Sequence, residues 1–123
     1  MISYCLCQKI IYIKCLRELK RHTKVYMEFF DYVLDSVILC EMMCGAKGTD
    51  IHHLTKQSKF GSKKEKDYIE NLCCLCRDCH IKAESDGMFN MFCRIKHLEN
   101  VCHQVYAKIE YQKIYESRKN KNK

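Results

Sequence analysis

A chain of 123 residues fits one domain, or a small module with arms, and excludes a large two-domain enzyme. Its 22 Lys+Arg exceed its 15 Asp+Glu, giving a formal charge of +7, and it has no Pro and no Trp. The longest uncharged runs, 1–8 and 100–107, are far short of the roughly 20 apolar residues that a membrane span needs.

The first stretch, 1–39, holds six basic and four acidic residues. Its opening MISYCLCQKIIYIK has lysines inside the apolar run and no small-residue cleavage site, which argues against a secretory signal and for a cytoplasmic protein. Ile10, Ile13, Leu16 and Leu19 are spaced like one helix face, and Val25, Phe29, Tyr32 and Val33 like a second. A helical N-terminal arm is predicted.

The centre, 40–87, holds eight basic and eight acidic residues, six of the eleven cysteines and three of the six histidines. Residues 49–54 form a short β-prone run, 55–67 a polar loop around Gly61, and 69–75 a second strand-like run. A helix is predicted from 78 onward, with Gly87 placed to end it.

The last stretch, 88–123, holds eight basic and three acidic residues. Ile95, Leu98, Cys102, Val105 and Ile109 follow a 3-4-3-4 spacing, the mark of a helix stripe. The stripe is predicted to cover a small core, and a homodimer through it is left open. The closing SRKNKNK has nothing to bury and reads as an unstructured basic tail.

Eleven cysteines, an odd count, with no signal for export, point to metal rather than disulfides. Cys76 and Cys79 have the two-residue gap of a zinc knuckle, and Cys40 and Cys44 a gap of three. Two knuckles on neighbouring strands supply the four soft ligands that tetrahedral zinc prefers. A four-thiolate zinc has no open position, so it staples the fold and catalyses nothing. Cys73 and Cys74, inside the second strand, are read as core. Cys5, Cys7, Cys15, Cys93 and Cys102 are given no role.

Between and after the knuckles lie His52-His53, Asn71 and His80. Together, CEMMCGAKGTDIHHL and IENLCCLCRDCHIKAE resemble an HNH endonuclease of the ββα-metal (His-Me finger) class, in the version framed by cysteine pairs. The resemblance covers Cys40 to about Glu84, roughly a third of the chain. It implies an α+β fold with a zinc-stapled ββα-metal core at 40–87, flanked by the N-terminal arm and the C-terminal helix. It also implies that His53 is the general base, that His52 and His80 hold a catalytic divalent ion such as Mg²⁺, and that Asn71 braces the loop and helps orient the base. The implied reaction cuts DNA to 5′-phosphate and 3′-hydroxyl ends, in a protein of bacterial or phage origin. Glu84, one helical turn after His80, is within reach of the same ion; the solvent-facing reading beside Lys82 and Asp86 is preferred. His22, His97 and His103 have no motif context.

The loop lysines Lys56, Lys59, Lys63, Lys64 and Lys66 sit between the expected base and Asn71, where they would supply sequence-independent affinity for DNA phosphates. The alternative from another class is a zinc-stapled DNA-binding module without catalysis.

Overall fold

A computed structural model describes residues 18–56 and 66–122. The predicted helix face at Ile10, Ile13 and Leu16, and the loop lysines Lys59, Lys63 and Lys64, lie outside the described residues. The architecture is α+β. Helix α1 (Arg21–Phe29) precedes a two-stranded antiparallel sheet, β1 (Asp50–His53) and β2 (Leu72–Leu75). A 3₁₀ turn (Ile69–Asn71) leads into β2, and α2 (Arg77–Ser85) and α3 (Gly87–Lys121) follow it. None of these helices is long and apolar enough to cross a membrane.

The strand register pairs Asp50 with Leu75, Ile51 with Cys74, His52 with Cys73 and His53 with Leu72. Two strands alone are marginal in water, so both faces need cover. Strand alternation sends Cys73 and Leu75 to one face, where they pack with Cys40, Leu54, Ala83 and Cys93. Leu72 and Cys74 go to the other face and meet Tyr26 from α1, with Phe30, Tyr32 and Ile38 around them.

Gly48, just before β1, donates its N–H to the Ile38 carbonyl (2.8 Å). A Cβ there would collide with the buried Sγ of Cys74, a short side chain with no room to swing away. Gly48→Ala is therefore expected to cost about 1–3 kcal/mol, as overpacking does. A urea midpoint unchanged from wild type would contradict that crowding.

Four sequence expectations are corrected here. Helix α1 stops at Phe29 because Asp31 takes a left-handed φ of 58°. Tyr32 still packs into the core from the turn, while Val33 is exposed. Gly87 does not end a helix. Asp86 closes α2 and its Oδ1 accepts from the Met88 and Phe89 N–H groups, so one acidic cap starts α3 directly. The tail is not unstructured over its described part: the helix runs on to Lys121, with Arg118, Lys119 and Lys121 in its last turn, where cations suit the helix dipole.

The largest correction concerns the face α3 buries. Ile95, Leu98, Cys102, Val105 and Ile109 all face solvent. The buried positions are Cys93, His97 and Val101, with Asn100 beside them. The reason is a carboxylate. Glu41, from the first cysteine gap, is 7 % exposed, and its Oε1 accepts from His97 Nδ1 (2.8 Å) and Asn100 Nδ2 (2.9 Å). Its Oε2 accepts from the Tyr26 hydroxyl (3.1 Å) and the Cys74 N–H (2.7 Å). His97 Nε2 faces the Ile69 carbonyl at 2.6 Å, so the ring bridges Glu41 and the 3₁₀ turn. A buried charge needs such partners more than the helix needs its apolar stripe covered. Burial works against ionisation of Glu41, yet the bonds from His97, Asn100 and Cys74 hold its carboxyl below the usual range.

Candidate metal centres

The four knuckle cysteines converge. The Sγ atoms of Cys40, Cys44, Cys76 and Cys79 all lie within 4.8 Å of one another, and Cys44 and Cys76 are 3.7 Å apart. Thiolates about 2.3 Å from a tetrahedral zinc stand about 3.8 Å from each other. All four are free thiols, so the donor set and the spacing fit zinc. The extra residue of the first gap is absorbed by left-handed turns at Met43 (φ 56°) and Gly45 (φ 86°). The second pair is set by α2 itself: Cys76 is its N-cap, and its Sγ accepts from the Cys79 N–H (3.4 Å). Burial pushes the Cys40 and Cys79 thiols up, while the Ala46 N–H pulls Cys44 down. Cys73 and Cys74 are core residues, outside this cluster.

His52, His80 and Glu84 form a second cluster, again with ligand atoms within 4.8 Å. Strand β1 places His52 and helix α2 places the other two one turn apart, with His80 Nε2 3.1 Å from Glu84 Oε1. Glu84 is mostly exposed, as expected, and yet joins the cluster. Each histidine has an outer partner that the sequence reading did not name. His80 Nδ1–H donates to Asp50 Oδ2 (2.8 Å), which leaves Nε2 toward Glu84. His52 Nε2–H donates to Asn90 Oδ1 (2.7 Å), and Asn90 is held by donating to the Leu54 carbonyl (3.0 Å), which leaves His52 Nδ1 with the lone pair. Burial, with the His80 charge adding to it, holds His52 below its ordinary value and favours the neutral imidazole that a metal takes. Asp50 is held low despite its burial by the bonds from His80 and Thr49 and by Arg77, 3.3 Å away. Such second partners fix ring orientation in metal sites.

His53 enters a different cluster. Neighbouring strand residues point to opposite faces, and β1 obeys that rule up to its last residue. His53 Nε2–H donates to Asp67 Oδ1 (2.9 Å), and its ring meets His22 edge-on with centroids 5.1 Å apart. Burial and the His53 charge lower His22. His52, His53 and His80 nevertheless line one cleft of about 740 Å³, with Lys20, Lys56 and Arg77 on its walls.

Asn71 is fully buried and clamps both mouths of the loop. Its Nδ2 donates to the Thr55 (3.2 Å) and Lys66 (2.9 Å) carbonyls, and its Oδ1 accepts from the Thr55 N–H (2.6 Å). It ties the two ends of the loop together, while among the described residues the side chain that accepts from His53 is Asp67. Lys56 and Lys66 flank the loop, Lys56 exposed and Lys66 half-buried.

Asp67, Asp50, Asn90 and His22 were missed because they have no motif spacing; the first three meet a histidine far from them in the sequence. No family model, no curated protein and no solved structure matches the chain.

Proposed function

We propose that the protein is a metal-dependent endonuclease of the HNH type that hydrolyses DNA phosphodiester bonds, with structural zinc at the four cysteines. One observation carries the reading: a two-histidine, one-carboxylate cluster shares a cleft with an oriented third histidine.

His52, His80 and Glu84 are the residues that would hold the catalytic divalent ion, Mg²⁺ or another. When bound, that ion would supply positive charge beside the scissile phosphate and its leaving 3′ oxygen. Asp67 holds the hydrogen of His53 on Nε2, so Nδ1 carries the lone pair that takes a proton from water. Asn71 keeps the loop ends closed behind it. Lys20, Lys56 and Arg77 line the cleft as phosphate contacts.

The test is nicking of supercoiled plasmid with Mg²⁺ or Mn²⁺. His53→Ala is expected to lower the rate by about 10²–10⁴-fold while leaving DNA retardation intact, since base catalysis is worth that much. Equal cutting by both proteins would remove His53 from the mechanism. If neither cuts and both retard DNA, the zinc-stapled binding module is the better account.

A further inference from the structure

We propose that His22, His53 and Asp67 form a second nitrogen-rich cation site, which takes a borderline divalent ion such as zinc and, when filled, withdraws His53 from catalysis. The binding half stands on geometry alone; the inhibitory half rests on the nuclease reading.

The three side chains come from the first turn of α1, the end of β1 and the segment before the 3₁₀ turn, and their ligand atoms lie within 4.8 Å of one another. Two ligands about 2.1 Å from one ion stand about 3–3.4 Å apart. His53 Nε2 and Asp67 Oδ1, at 2.9 Å, are close to that spacing. Comparable spacings occur at His80–Glu84 (3.1 Å) and Cys44–Cys76 (3.7 Å), and also at the hydrogen-bonded His97–Glu41 pair (2.8 Å).

Asp67 itself points to a further positive partner. Glu41, the other carboxylate buried to this degree among the described residues, accepts four hydrogen bonds. Asp67, 8 % exposed, accepts one among the described residues, from His53, and its other oxygen has Arg21 Nε at 4.0 Å. A buried carboxylate whose described partners are one histidine and a guanidinium 4.0 Å away is well matched by a cation. Two imidazoles and one carboxylate are a donor set that zinc-like ions take readily, as the matching set of His52, His80 and Glu84 also would. His22 and His53 both line the cleft, so the site has a path from solvent.

The inhibitory effect is a matter of tautomer. With Asp67 accepting from Nε2–H, Nδ1 of His53 is the basic nitrogen. A zinc ion on Nε2 takes that position from the hydrogen, and the neutral ring regains one at Nδ1, with no net change in protons. Nδ1 is then a donor and accepts nothing from water.

The test counts zinc by equilibrium dialysis on protein whose cysteine site is already loaded. The His80→Ala background weakens the neighbouring cluster. Addition of His22→Ala to it is expected to lose one bound zinc per chain, with an unchanged circular dichroism spectrum, because His22 is only half-buried. Equal zinc in both proteins would overturn the site. For inhibition, Mg²⁺-supported plasmid cutting is titrated with zinc in wild type and in His22→Ala. The variant is expected to need about tenfold more zinc or greater for the same inhibition. Equal sensitivity would overturn the inhibitory half alone. If the protein does not cut DNA, the dialysis count still decides the site, and only the nuclease reading fails.

Discussion

Cys76→Ser is expected to abolish stoichiometric zinc binding and, with it, the cooperative unfolding transition. A four-thiolate structural zinc contributes about 10–16 kcal/mol of apparent binding energy in small zinc peptides. A domain of this size has a total stability of only about 5–15 kcal/mol. The described core is a two-stranded sheet covered by two short helices and part of the long α3, and Cys40 and Cys76 belong to the cluster on one of its faces. Serine remains a good N-cap for α2, so loss of the cap would not explain the effect. Elemental analysis of reduced protein and a thermal melt, each with and without chelator, read both halves. Cys102→Ser, on the exposed face of α3, is the control expected to change neither. An unchanged melt for Cys76→Ser would mean that the cysteines are packing residues.

Glu41→Gln should cost about 2–3 kcal/mol, the upper part of the penalty for leaving buried donors of a charged acceptor without a partner. The carboxylate accepts from groups on α1, β2 and α3 at once, and each oxygen takes two donors. Glutamine offers one oxygen and one NH₂, so either the Cys74 N–H or His97 would face a donor. Urea unfolding with an unchanged slope measures the loss. Tyr26→Phe removes a single neutral donor and is expected to cost about 1 kcal/mol. A Glu41→Gln loss no larger than that of Tyr26→Phe would show that the carboxylate adds nothing beyond one hydrogen bond. The pH dependence has a definite sign. Glu41 is held below its ordinary value of 4.5, so its contribution is present above that pH and is lost as the pH falls through the lower, folded value. Wild type should therefore resist mild acid better than Glu41→Gln, and the two should converge in strong acid.

Much of the site's framework was legible in the chain. The spacings of Cys40, Cys44, Cys76 and Cys79 pointed to a four-thiolate cluster, and the structure brings those sulfurs together. The run from His52 to His80 marked two strands and a helix in the right order. Such signals are readable because they are local. Two thiolates a knuckle apart, or a histidine and a glutamate one turn apart, meet through backbone geometry that the intervening residues impose.

The partners were not legible, because a hydrogen bond between distant elements leaves no period in the sequence. His97 looked like an ordinary helix histidine, yet it reaches across 56 positions to Glu41 and turns the apolar stripe of α3 outward. Asn90 meets His52 across 38 positions, Asp50 meets His80 across 30, and Asp67 meets His53 across 14. By itself, the sequence determined the ligand types, their local spacing and the order of the central elements. Only the tertiary structure decided which face of α3 is buried and how the adjacent His52 and His53 part. The physical reason is that periodicity records where apolar side chains fall. The need of a buried charge for donors is met by whichever elements the fold brings near.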